Sequence, residues 1–209
     1  MPFDAVLFDM DGTLVDTEGL WWEAASSVAR GLGVRLTGDD ADSVHGRTVA
    51  DTAAHLLSRA TSADRAPDGR APDMAAVSER LTEEFAARIA AGVRFVDGAL
   101  GLLGELAAGE VPTALVSASP RRIVDLVLKQ LPHPFRTVVA DGETPRGKPY
   151  PDPYLEAISR LGVEPARCVA IEDSPTGIAA ARAAGCRVLT VPRMPTLAQL
   201  HSLDRPARS

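Results

Sequence analysis

Four short stretches of this chain carry side chains that together suit phosphoryl chemistry. Asp9-Met10-Asp11-Gly12-Thr13 supplies two carboxylates, and Ser117-Ala118-Ser119 supplies hydroxyls. Gly147-Lys148-Pro149 supplies an amine, and Glu172-Asp173-Ser174 adds two more carboxylates. Asp9 and Asp173 offer hard oxygen ligands, which suit magnesium better than zinc. A magnesium ion there would hold a phosphate oxygen and screen the carboxylates from an incoming anion. A carboxylate such as Asp9 can then attack phosphorus and form an aspartyl phosphate. Asp11, past a tight turn, could protonate the leaving oxygen and later activate water. Ser117 and Lys148 could bind the transferring oxygens, where charge must be neutralised.

Each stretch also has a plainer reading. Asp-x-Asp-Gly after a strand is often only a turn. Ser117, and Ser119 ahead of Pro120, suit helix caps. Glu172-Asp173 could cap a helix beginning near Pro175, with a favourable dipole interaction. Lys148 alone would be a solvated charge. The joint placement of all four argues for chemistry. So does the scarcity of lysine: the chain has twenty arginines, only Lys129 and Lys148, and no asparagine.

The placement follows from the elements. Asp4 to Phe8 is a short apolar run, read as a buried strand ending at Asp9. From Asp16 to about Val93 the pattern is helical, with no strand signal. The expected helices are Asp16 to about Gly31, Asp39–His45, Thr48–Ala60 and Met74–Ala91. Thr61–Asp73, rich in Ala, Pro, Asp and Gly, reads as a flexible surface loop. Beyond Val93, helix and strand alternate. Expected strands are Pro112–Val116, Thr137–Ala140, Cys168–Ile171 and Val188–Val191. Expected helices are Ala99–Ala108, Arg121–Gln130, Pro153–Leu161 and Thr176–Ala184. Asp204–Ser209 reads as a frayed tail, and Leu197, Leu200 and Leu203 could pack on the core. This is an α/β chain: a Rossmann-like parallel-sheet core with helices on both faces, and an inserted all-helical cap. The core is expected over 1–15 and 94–209, the cap over 16–93. In such sheets ligands bind beyond the carboxyl ends of the strands, where the four stretches fall.

The net charge of −6 and the pI of about 5.2 leave no broad basic face for nucleic acid. No apolar run is long enough to cross a bilayer, and Met1–Phe8 lacks a signal-peptide pattern. Cys168 and Cys186 fit neither a metal spacing nor a disulfide framework. A soluble cytoplasmic protein is expected, a monomer or weak dimer, whose partner is a small phosphorylated metabolite.

The same residues carry a family resemblance. Asp9-Met10-Asp11-Gly12-Thr13-Leu14-Val15-Asp16-Thr17-Glu18 resembles the first motif of the haloacid dehalogenase superfamily. Val116-Ser117-Ala118-Ser119 is similar to its second motif, and Gly147-Lys148-Pro149 leading into Pro151-Asp152-Pro153 to its third. Ile171-Glu172-Asp173-Ser174 with Gly177 is similar to the fourth. The resemblance implies magnesium bound by the Asp9 side chain, the Asp11 backbone carbonyl and Asp173, with Glu172 nearby. It also implies phosphate contacts from Ser117, Ala118 and Lys148.

Asp11 disfavours the acid dehalogenases, which lack the second aspartate, and the phosphonate hydrolases, which carry alanine there. The absence of lysine from the cap disfavours the latter again. The nearest patterns are beta-phosphoglucomutase and the sugar or polyol phosphate phosphatases. Mutases carry a histidine in the first cap helix, where this chain has Trp21. Tryptophan cannot shuttle protons. A phosphatase is therefore expected, and a phosphosugar mutase is the alternative. Trp21 is a candidate for either substrate contact or cap packing. His45-Gly46-Arg47-Thr48, between two expected helices, supplies further candidates. Gly46 suits a bend, and His45 and Arg47 could read the substrate. Asp16 and the region from Val93 to Asp97 are the expected hinges.

Overall fold

The computed structural model describes residues 3–60, 73–191 and 194–202. Of the loop expected over Thr61–Asp73, residues 61–72 lie outside the described residues and Asp73 caps a helix; Leu203 and the expected tail also lie outside the described residues. Strand β1 (Ala5–Phe8) lies at the centre of a five-stranded parallel sheet. Its neighbours are β4 (Thr113–Pro120) and β6 (Cys168–Glu172). Outside these lie β5 (Thr137–Asp141) and β7 (Arg187–Thr190). The sheet order is β5-β4-β1-β6-β7.

All four residues of β1 are buried, which is why the strand is a continuous apolar run and not an alternating one. Successive side chains still point to opposite faces. Val6 and Phe8 join Leu115, Val169 and Ile171 in one apolar cluster. That cluster includes residues of α5 (Ala99–Ala108) and α6 (Arg121–Leu128). Ala5 and Leu7 join Ala114, Val116 and Ala170 in the other. Residues of α7 (Asp152–Leu161) and α8 (Pro175–Ala183) complete it. The sheet is thus covered on both faces, as expected.

The cap helices leave the core just after β1. They are α1 (Glu18–Gly31), α2 (Ala41–Val44), α3 (Val49–Arg59) and α4 (Met74–Ala91). In α4, buried Val77, Leu81, Phe85 and Ile89 recur every four residues and form one stripe. Asp40 fastens the turn ahead of α2. Its buried carboxylate accepts the Thr37 amide at 2.9 Å, meets His55 Nε2 at 2.9 Å and pairs with Arg59. The Thr37 amide bond, with His55 and Arg59, lowers its pKa to about 2 against the opposing effect of burial.

Three expectations change. The chain crossing between core and helices is not free of strand. Val15–Asp16 (β2) pairs antiparallel with Arg94–Phe95 (β3), and Arg94 also pairs with Asp16. Two residues are too short for a periodic signal, so the pairing cannot be read from sequence. The expected strand Pro112–Val116 runs on to Pro120, with an irregularity in its register after Val116. Ser117–Ser119 therefore belong to the strand's end. Finally, Leu197–Ser202 forms a further α-helix, α9, whose Leu200 is buried.

Candidate active site

The carboxyl ends of β1, β4 and β6 bring the chemistry together. The Asp9 amide donates to the Ile171 carbonyl at 3.0 Å, which sets Asp9 beside the end of β6. The chain then turns at Gly12, whose φ of +81° is the left-handed region that glycine tolerates. A side chain there would also land on the Asp173 carboxylate. Gly177, in the first turn of α8, leaves room in the same way for Glu172. Helix α8 is capped by Ser174, whose hydroxyl accepts the Gly177 amide at 3.1 Å. Glu172 and Asp173 are not its caps and are free for other work.

Lys148 reaches this point from the loop after β5. Its side chain is only 4% exposed. Nζ donates to Asp9 Oδ1 at 2.6 Å and to Glu172 Oε1 at 2.5 Å. Burial works against the lysine charge, but Asp9 and Glu172 outweigh it and hold the ammonium above its ordinary value. Asp9 Oδ2, by contrast, is buried with no hydrogen-bond partner. Oxygens of Asp9, Glu172 and Asp173 lie within 4.8 Å of one another. Burial pushes the Asp9 carboxyl well up, and Glu172, Asp173 and Asp11 add to this against Lys148. So much negative charge around one orphaned oxygen calls for a cation.

Asp11 is held differently, by hydroxyls. Thr17 Oγ1 donates to its Oδ1 at 2.7 Å, and Ser119 Oγ to its Oδ2 at 2.8 Å. Ser117 Oγ lies 3.4 Å from the same Oδ2 and accepts the Ser119 amide at 2.9 Å. Burial raises the Asp11 carboxyl, and the bonds from Thr17 and Ser119 oppose it. Ser119 therefore serves Asp11 and does not cap α6, which has no side-chain cap bond.

Asp9, Asp11, Thr17, Ser119, Lys148 and Asp173 line a cavity of about 560 Å³ between the core and the cap helices, whereas Ser117 and Glu172 are buried and are not part of its lining. Ala118 and Pro149 contribute on the core side, and Trp21, His45, Gly46 and Arg47 on the cap side. Trp21 is buried. Its indole donates to the Val44 carbonyl at 2.9 Å, and its ring meets Phe85 edge-on. The indole N–H is thus committed to the cap's own packing. Gly46 takes a positive φ of +66°, which makes the bend after α2. His45 Nδ1 pairs with Glu18 at 2.9 Å, and its ring packs edge-on against Trp22. Arg47 is exposed and donates to the Asp42 carbonyl at 3.0 Å. A second cavity of about 630 Å³, between α4 and α6, lies away from every one of these carboxylates.

Sequence reasoning missed four participants: Thr17, Thr13, Ser119 as a partner of Asp11, and Tyr154. Thr13 Oγ1 donates to Asp173 at 3.1 Å. Thr13 and Thr17 lie inside the first motif, so their spacing was visible but their partners were not. Tyr154 lies inside the expected helix Pro153–Leu161, and nothing in the sequence marks its hydroxyl.

A family model for haloacid dehalogenase-like hydrolases matches residues 6–191. The chain belongs to that family. Hexitol phosphatase A of Escherichia coli (strain K12) is 32% identical over 200 residues, covering 95% of this chain and 87% of that protein. Validoxylamine A 7'-phosphate phosphatase of Streptomyces hygroscopicus subsp. limoneus is 31% identical over 193 residues, or 88% and 83% of the two chains. Among solved structures, a mutant of CbbY from Rhodobacter sphaeroides in complex with xylulose-(1,5)bisphosphate is similar. It superposes with a TM-score of 0.78 at 26% identity, over 94% of this chain and 89% of that one. With this fold and these relatives, the protein is a phosphoric monoester hydrolase. Among its described residues no helix is long and apolar enough to cross a membrane.

Proposed function

We propose that this protein is a magnesium-dependent phosphatase of a small sugar or polyol phosphate, acting through an aspartyl phosphate on Asp9. One observation carries the reading: Asp9 has one oxygen fixed by Lys148 and the other buried and unpartnered. A carboxylate in that state is oriented for attack and needs a divalent cation beside it. The donor set fits magnesium, because every candidate ligand is a hard oxygen. Asp9, Asp173 and the Asp11 carbonyl would hold the ion, with Glu172 in support. Bound there, it would supply charge neutralisation for the phosphate.

The remaining roles belong to the chain itself. Asp9 attacks phosphorus. Asp11 gives a proton to the leaving oxygen and takes one from the water that follows. Its raised carboxyl pKa, caused by burial, suits the donor half of that task. Ser117, the Ala118 backbone and Lys148 hold the phosphoryl oxygens. The segment 16–93 acts as a cap that closes over the site and excludes water during the first step. The cavity's cap side presents His45, Gly46, Arg47 and Trp21 to the rest of the substrate. The similarity to hexitol and validoxylamine phosphatases favours a polyhydroxylated leaving group.

Phosphate release from a panel of sugar, polyol and nucleotide monophosphates tests this, first with magnesium and then with chelator. Magnesium-dependent release, strongest on sugar or polyol esters, is expected. Isomerised sugar phosphate in place of free phosphate would mark a phosphosugar mutase and overturn it.

A further inference from the structure

Tyr154 is wholly buried in the apolar cluster beneath α7, where a phenylalanine would pack as well. Its hydroxyl therefore needs an explanation. It donates to Glu172 Oε1 at 2.7 Å. That same oxygen accepts Lys148 Nζ at 2.5 Å, and Nζ also holds Asp9 Oδ1 at 2.6 Å. The ammonium lies 5.3 Å from the centroid of the Tyr154 ring. The other Glu172 oxygen takes the Ser174 hydroxyl at 3.2 Å. Glu172 is thus gripped at both ends by the protein.

We infer that Tyr154 is a positioning residue for phosphoryl transfer, fixing Glu172 and through it the place of Lys148 beside Asp9. The inference rests on the phosphatase reading above. Its physical basis is a competition for one ammonium. Glu172 and Asp9 share Lys148, and in a buried site each carboxylate pulls strongly. The phenol supplies Glu172 with a second donor and weakens that pull, so Nζ stays within reach of Asp9 and the phosphoryl group. Without the hydroxyl, Lys148 would be the sole donor on Glu172 Oε1 and would shift toward it. The contact is invisible in the sequence because Tyr154 and Glu172 are 18 residues apart on different elements.

The test is Tyr154→Phe in the full chain with magnesium. Loss of a buried supporting bond of this kind lowers activity by about tenfold to a hundredfold. The expected result is a fall in kcat/KM of that order, with inorganic phosphate binding weakened severalfold by calorimetry. Ile158→Val, a neighbouring core change on the same helix, controls for lost stability and should leave both values unchanged. In a Lys148→Ala background, Tyr154→Phe should lower phosphate affinity by less than twofold more. A Tyr154→Phe enzyme with wild-type kcat/KM and phosphate affinity would overturn the inference. So would an effect repeated in full without Lys148. Wild-type turnover reports on the phosphatase reading alone, whereas phosphate affinity tests Tyr154 whether or not esters are hydrolysed.

Discussion

The two walls of the cavity between core and cap are held together by different physics. On the core side, Asp9, the Lys148 side chain and, behind them, Glu172 are buried, and Lys148 Nζ bridges the two carboxylates, at 2.6 Å to Asp9 and 2.5 Å to Glu172. Every one of them sits at a strand end or on a loop fixed by the sheet. On the cap wall, Arg47 and Gly46 are exposed, and the His45–Glu18 pair joins side chains 35% and 63% exposed. Exposed pairs of that kind contribute only about 0–1 kcal/mol. One wall is rigid because its charges have no water to turn to. The other is adjustable because its charges do. A family that keeps one chemistry and changes its substrate would divide the labour in this way.

The largest expected effect falls on the rigid wall. Asp9→Asn keeps the shape but removes the proposed nucleophile and one of the two carboxylates on Lys148. Turnover should fall by at least about a thousandfold with the fold intact by circular dichroism. Activity within tenfold of wild type would break the contrast.

Next comes Gly177→Ala. The added methyl would occupy the space of the Glu172 carboxylate, so helix α8 or Glu172 must move. Overpacking of this kind costs about 1–3 kcal/mol. Steady-state assays should show kcat/KM down by tenfold or more, and thermal melts a lower Tm. Gly46→Ala on the cap wall also strains a positive φ, but a Cβ there meets nothing, so its effect on kcat should be much smaller.

The cap's own rigidity depends on Asp40, away from the cavity. Its folded pKa of about 2 lies below the ordinary unfolded value of about 3.9. A depressed carboxyl contributes stability that is full above about pH 4 and is lost as pH falls from there toward 2. Urea unfolding from pH 5 to pH 2.5 should therefore show a steeper loss for the wild type than for Asp40→Asn. Near neutral pH, Asp40→Asn should lower stability by about 1–3 kcal/mol and leave kcat per folded molecule unchanged.

The smallest effect belongs to Arg47→Ala. Its side chain is exposed and its guanidinium donates to the Asp42 carbonyl. KM for the preferred sugar phosphate should rise a few-fold, while hydrolysis of a small aryl phosphate stays the same. Equal losses on both substrates would place Arg47 on the catalytic side of the comparison.

The same contrast explains what was legible in the sequence. The core wall was readable because Asp9 and Glu172 each follow an apolar run, which announces a buried strand, and because Lys148 is one of only two lysines in the chain. The parallel sheet then forces those strand ends to one edge. Asp9, Lys148 and Glu172 meet there although they are 139 and 24 residues apart. Tyr154 and Ser119 were not readable. A tyrosine in an apolar helix stripe signals packing, and its hydroxyl partner arrives from another strand. Ser119 before a proline signals a cap, and only the turn of Asp11 toward it shows otherwise. The β2–β3 pair was too short for any periodicity. On the cap wall, the Glu18–His45 pair spans helix and loop with no pattern linking them.

The most direct test of Asp9 as the phosphoryl acceptor is an acid quench. Enzyme with magnesium is mixed with a 32P-labelled sugar phosphate and stopped within the first turnover. Label should travel with the protein, be released by hydroxylamine, map to the peptide containing Asp9, and be absent from Asp9→Asn. Full-rate phosphate release with no label on the protein at any quench time, or equal labelling of Asp9→Asn, would contradict it.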